Sequence, residues 1–246
     1  MSAGIARCFI SLVVTVAAFA WAAGDAAETS ARGIRMTVAG DSLALGVGAT
    51  DSGRGFAFDL YRRVDAAYPR SEVTNLAIGG ATTADVTRLE VGRIAPTQPD
   101  VILIEAGAND LVRRRCPRSF AADYALLVAS VRRAAPRARV VLFNVPDISV
   151  SPIFDPPSKP ELRWLAVAYD ATVSRVARAA RLPVVDLFAF SQRARSDPTR
   201  YFSADEFHPS DDGHAAIADA AWPTLRRVTR SAHRFTTVSS PDGMTR

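Results

Sequence analysis

Five short apolar runs, at residues 34–39, 72–76, 101–105, 140–144 and 184–187, punctuate the chain, and longer stretches between them return an apolar residue every three or four positions. Runs of that length, several nearly all apolar, predict strands covered on both faces, and the longer period predicts helices. Their alternation predicts βα units around a mainly parallel sheet rather than a sandwich or a bundle. The first helix is predicted over 56–67, where Phe56, Leu60, Val64 and Ala67 share a face before Pro69 closes it. Others are predicted over 83–93, 120–134, 161–180 and 211–228, with Trp164 and Trp222 in or near the core. Segment 46–55, rich in glycine, and segment 146–160, rich in proline, are candidate substrate walls or lids, or else plain connections. From Ser231 the periodicity stops, which predicts a disordered tail over 231–246.

The first thirty residues break this pattern. Arg7 precedes an apolar run from Cys8 to Ala23, and Ala20-Trp21-Ala22 offers a cleavage site. The features predict a signal peptide over 1–24, cut near residue 22, and a periplasmic or secreted domain over 33–230. An uncleaved membrane anchor is the rival reading, because the run is long for a signal. Cys8 opens the run rather than closing it, which argues against lipid attachment there. Cleavage would leave Cys116 alone, so no internal disulfide is expected, and with no histidine near it in sequence it reads as a passive thiol.

The chain has 246 residues, 48% hydrophobic and 22% charged, suited to one globular domain acting as a monomer. Its net charge of +5 comes almost wholly from arginine, since Lys159 is the only lysine. The arginines are spread over helix faces without an aromatic-plus-basic motif, which gives no support to a nucleic-acid function. Membrane contact is expected only in transit, through the signal.

Candidate chemistry lies at strand ends. Ser42 sits immediately past the first strand, in Gly40-Asp41-Ser42-Leu43. Asp205-Glu206-Phe207-His208 places a carboxylate three residues before an imidazole, close enough to reach back to its Nδ1. Asp186, at the end of the fifth strand, is a rival acid. His214 is expected to be structural or a cap, and His233 falls in the tail. The second strand is followed by Gly79-Gly80 and the third by Asn109, both suited to donate hydrogen bonds to a developing oxyanion. Asp41 and Asp110 are expected to brace the turns carrying Ser42 and Asn109. No His-Glu-x-x-His or paired-cysteine spacing suggests a metal.

In that order, the four segments resemble the SGNH hydrolase superfamily, also called the GDSL esterases and lipases, over about 34–228. The resemblance implies a three-layer, flavodoxin-like α/β fold with a five-stranded parallel sheet of order 2-1-3-4-5 flanked by helices. It implies Ser42 as nucleophile, Asp205 and His208 as its partners, and an oxyanion hole from the Ser42 amide, Gly80 and Asn109. Where many relatives have Ser-Gly this chain has Gly79-Gly80, so Gly79 stays an alternative donor. The implied activity is ester hydrolysis through an acyl-enzyme, with no cofactor, on a small-molecule, lipid or acylated-sugar ester. An acyltransferase acting on envelope glycans and a catalytically silent carbohydrate- or lipid-binding module are the alternatives.

Overall fold

The computed structural model describes residues 32–238, so the predicted signal peptide and the tail beyond Val238 lie outside the described residues. Five strands, β1 (Arg35–Gly40), β2 (Glu72–Asn75), β3 (Val101–Glu105), β4 (Arg139–Phe143) and β5 (Val184–Val185), pair in parallel in the order β2-β1-β3-β4-β5. The sheet therefore has the order 2-1-3-4-5 that the resemblance implies. Every residue of the central strand β3 is buried, with Ile102 and Ile104 in one core and Val101 and Leu103 in the other. A strand covered on both faces must be apolar throughout, which is why this run is so plain in the sequence.

The first core lies under α3 (Thr83–Leu89), α4 (Val91–Ile94), α6 (Pro117–Ala134) and α7 (Lys159–Ala180). On the other face lie α1 (Ser42–Leu45), α2 (Phe56–Ala67) and α10 (Asp211–Val238). Three short helices, α5 (Ala108–Val112), α8 (Leu187–Ser196) and α9 (Pro198–Tyr201), follow strand ends or join them to α10. The chain runs from β1 out to β2 on one side and then back across β1 to β3. The switch point, where such sheets bind ligands, therefore lies beyond the carboxyl ends of β1 and β3.

Several elements differ from the pattern. The helix predicted over 83–93 is two helices, broken at Glu90, whose side chain turns inward to accept the Gly40 amide at 2.8 Å. Trp164 is 62% exposed rather than in the core. The buried stripe of α7 runs through Leu162, Leu165, Ala166, Tyr169 and Val173, and at 100° per residue Trp164 falls outside it. Trp222 is half-buried against the second core. The last helix continues ten residues past 228 to Val238, with Ala232 buried, so residues 231–238 are helical and not part of a frayed tail. Helix α8 has no counterpart among the predicted elements, because its buried positions Leu187, Ser191 and Ala194 include a serine and an alanine and make no visible apolar stripe. Among the described residues no helix is long and apolar enough to cross a membrane.

Candidate active site

Gly40 closes β1 because β3 runs too close for any side chain: a Cβ there would lie 2.1 Å from the Glu105 carbonyl oxygen. The chain then turns at Asp41, whose carboxylate accepts the Leu43 amide at 3.0 Å and caps α1. Ser42 is thereby fixed as the first residue of a helix. Its own N–H has no acceptor within that helix.

The Ser42 hydroxyl lies 2.9 Å from His208 Nε2, and His208 Nδ1 lies 2.6 Å from Asp205 Oδ2. The second oxygen of Asp205 accepts the amides of Phe207 and His208, both at 2.9 Å, and the Ser203 hydroxyl at 2.8 Å. Burial by itself would raise the Asp205 carboxyl. The bond from the His208 ring, the two amides and Ser203 outweigh it and hold the group well below the usual carboxylate range. A carboxylate only accepts, so Nδ1 carries the ring proton and Nε2 is left to accept from Ser42.

Asp186 takes no part in this chain of bonds. It caps α8 through the Ala189 amide at 2.9 Å and accepts Asn144 Nδ2 at 3.0 Å. His214 is buried, accepts the Phe56 amide on Nδ1 at 3.3 Å and donates from Nε2 to the Val47 carbonyl at 3.0 Å, a structural role. Burial lowers its imidazole toward the neutral form that this pattern of bonds requires. Cys116 is exposed and precedes α6, far in sequence from every residue of this cluster.

The oxyanion candidates converge on the same edge. Ile78 N–H donates to the Gly40 carbonyl at 3.1 Å, which carries the loop after β2 alongside the serine turn. Residues 78–81 form a turn closed by Ala81 N–H on the Ile78 carbonyl at 3.1 Å, with Gly80 at φ +78°, the position where a type II turn requires glycine. Gly79 and Gly80 are both exposed, with open space above them. Asn109, in α5, donates from Nδ2 to Asp41 at 3.1 Å, so one amide hydrogen is used to fix the side chain and the other is left over. Asp110 ties the two loops together, accepting the Thr83 amide at 2.8 Å and its hydroxyl at 3.0 Å, while the Arg113 guanidinium donates to the Gly80 carbonyl at 3.0 Å. The bracing by Asp41 and Asp110 reaches well beyond adjacent backbone.

Segment 146–160, expected as a substrate wall or lid or a plain connection, also has a bracing role that the sequence does not show. The Ser151 hydroxyl donates to the Glu206 carbonyl at 2.5 Å and Phe154 meets Phe207 edge-on, so the segment braces the turn that carries His208. Its base is fixed by the buried Asp147, which accepts from Arg163 and Gln192 and faces Arg195 at 3.5 Å. Segment 46–55 braces the same turn from the other side: a Cβ on Gly48 would lie 2.4 Å from the Pro209 carbonyl oxygen and 2.7 Å from His208 Cβ. A small cavity of about 50 Å³ opens beside Ser42 and His208, walled by Ile148, Val150, Leu187, Phe190 and Phe207. Among the described residues, no three His, Cys, Asp or Glu side chains gather as metal ligands would.

A doubly wound α/β domain that holds a serine, an imidazole and a carboxylate in line at its switch point has the architecture of a serine hydrolase. The chain belongs to the GDSL-like lipase/acylhydrolase family, whose model matches residues 38–216. It is 27% identical over 208 residues to the GDSL-like esterase Rv1075c of Mycobacterium tuberculosis, covering 78% of this chain and 62% of that one. It thus spans less than two thirds of that relative. It is also 26% identical over 192 residues to the esterase TesA of Pseudomonas aeruginosa, covering 78% and 87% of the two chains. Among solved structures, a crystal structure of TesA superposes with a TM-score of 0.65 at 23% identity, over 79% of this chain and 99% of that one. An acetyl xylan esterase from Geobacillus stearothermophilus superposes at 0.63 and 21% identity, over 80% and 95%. At these identities the structural matches establish the fold.

Proposed function

We propose that this protein is an exported ester hydrolase in which Ser42 is the nucleophile, His208 the general base and Asp205 the group that orients and charges the imidazole. The observation that carries the reading is the continuous run of bonds from Ser42 Oγ through His208 to Asp205. Ser42 attacks the ester carbonyl as its proton passes to His208 Nε2. The tetrahedral oxyanion is met by the Ser42 amide, the Gly80 amide and the free hydrogen of Asn109 Nδ2. His208 then protonates the leaving alcohol, and water, activated by the same ring, resolves the acyl-enzyme. Export rests on the apolar run from Cys8 to Ala23 behind Arg7.

The cavity beside Ser42 supports a short acyl group. At about 50 Å³, and walled by Ile148, Val150, Leu187, Phe190 and Phe207, it is small and apolar. The test is a series of p-nitrophenyl esters from acetyl to palmitoyl, run on wild type and Ser42→Ala. Turnover is expected to be highest for acetyl to butyryl, to fall steeply by octanoyl, and to be lost in the variant. Equal rates for wild type and Ser42→Ala would end the hydrolase reading, and a palmitoyl preference would end the short-chain reading.

A further inference from the structure

Beneath the serine turn lies a carboxyl group that the catalytic cycle leaves unused. Glu105 ends β3, is 1% exposed, and stands in register with Gly40. Its carboxyl lies against that of Asp41, itself 1% exposed, and the backbone amides of Asp41 and Ala44 approach it without making well-aligned hydrogen bonds. Two ionised carboxylates cannot share a dry pocket, so one of the pair holds a proton. The geometry identifies which. Both Asp41 oxygens already accept, one from the Leu43 amide and the other from Asn109 Nδ2. Glu105 has oxygens to spare and an acceptor in contact.

We propose that Glu105 is a positioning residue for the reaction, held as a neutral acid that donates a hydrogen bond to Asp41, so that Asp41 remains a carboxylate and holds the Asn109 amide in place. Burial first, and then the charge of Asp41, push the Glu105 carboxyl well above its ordinary value; burial raises Asp41 too, but there the Leu43 amide, Glu105 and Asn109 oppose it, in keeping with that assignment. Three other ionisable groups bear on this pair: the His208 imidazole, within electrostatic reach of Asp41, and the side chains of Tyr124 and Glu90. Tyr124, from α6, is buried and raised by burial and by its neighbour Glu105, and stays a neutral phenol. Glu90, whose Oε2 accepts the Gly40 amide, feels the charge of Asp41. A negative charge on Glu105 would therefore sit against the Asp41 carboxylate and the Tyr124 phenol with no cation beside it among the described residues, offset only by the backbone amides of Asp41 and Ala44. The consequence reaches the reaction through Asn109: its one fixed hydrogen depends on an ionised Asp41, and the remaining hydrogen is aimed only while that bond holds.

The proposal rests on the reading of Asn109 as an oxyanion donor, and the experiment separates the two. Steady-state hydrolysis of p-nitrophenyl acetate is compared for wild type, Glu105→Gln, Glu105→Leu, Asn109→Ala and the double variant Glu105→Leu/Asn109→Ala, each with a thermal melt. Glutamine keeps a donor toward Asp41 and leucine does not. Glu105→Gln is expected to keep kcat within about threefold, and Glu105→Leu to lose about tenfold to a hundredfold in kcat with KM little changed. In the Asn109→Ala background the leucine substitution is expected to cost less than about twofold, because the group it acts through is gone. A leucine variant with wild-type kcat, or a leucine loss that multiplies in full onto Asn109→Ala, overturns the proposal. If the leucine variant does not fold, the glutamine variant decides: a wild-type melt with more than a tenfold loss of kcat means that the charge was needed, and the proposal fails. Were Asn109→Ala itself fully active while Ser42→Ala is dead, the oxyanion assignment would be at fault instead.

Discussion

Replacing Asp205 by asparagine conserves size and removes one charge, and the bonding around the side chain dictates how the new amide must sit. Oδ1 of Asp205 accepts three donors, the Ser203 hydroxyl and the amides of Phe207 and His208. Asparagine has one oxygen, and that oxygen must take this position, since an amide NH2 there would face three donors. The NH2 is then turned toward His208 Nδ1, 2.6 Å away in the wild type, and Nδ1 is forced to accept. The ring proton moves to Nε2, which can no longer take the proton of Ser42. The imidazolium also loses its counter-charge. Together these effects are expected to lower kcat about a thousandfold or more, equivalent to ~4 kcal/mol of barrier. The melt should change little, because the turn keeps its three bonds. The assay is p-nitrophenyl acetate hydrolysis beside Asp186→Asn, for which activity within about threefold of wild type is expected, since Asp186 bonds only to Asn144 and the α8 cap. A loss of less than tenfold in Asp205→Asn, or a larger loss in Asp186→Asn, would refute the assignment of the acid.

Neighbouring features make three further predictions. Gly48→Ala forces a side chain at φ +97° into the Pro209 carbonyl and His208 Cβ; a loss of about 1–3 kcal/mol in denaturant unfolding should accompany at least a tenfold drop in kcat. Asp147→Ala removes the buried acceptor of Arg163 and Gln192, and because Arg163 is 44% exposed and can rehydrate, the cost should stay near ~2 kcal/mol. KM for butyryl esters should rise in that variant, since the segment it anchors walls the cavity beside Ser42. For Glu90, burial first and then the charge of Asp41 raise the carboxyl from 4.5 to about 8, against the bond from the Gly40 amide. The folded state holds a proton that the unfolded chain releases, so this stabilisation is complete below about pH 4.5 and is lost as pH rises through about 8. The melting temperature of Glu90→Gln should therefore fall less than that of wild type between pH 5 and 8; parallel curves would show that Glu90 is ionised throughout.

Much of this molecule is legible in residue order because its signals are local. Strand β3 must be apolar to be buried on both sides, and α2 must carry Phe56, Leu60 and Val64 on one face; both patterns survive in the linear order of residues. Asp205 and His208 are three positions apart, so their contact is set by the turn between them. Gly40-Asp41-Ser42-Leu43 is informative for a similar reason, each residue having its own local task at the end of β1. Trp164 and α8 escape this kind of reading because burial depends on which face a neighbour covers, and composition does not say.

Meetings across long separations belong to the folded state alone. Glu105 against Asp41, Glu90 on the Gly40 amide, Asp110 on Thr83, and Ser151 on Glu206 all join residues from different loops or strand ends. The buried acids Asp41, Glu90 and Glu105 each lie at or next to the end of an element, where a charged residue reads as an exposed boundary. The sheet order folds those boundaries inward, and burial in a dry, crowded space decides which carboxyl is charged and which keeps its proton. Residue order was enough to specify the fold class and the chemical groups at the strand ends; packing around β1 and β3 specified how those groups are held, because hydrogen-bond partners and desolvation exist only once the strands are side by side.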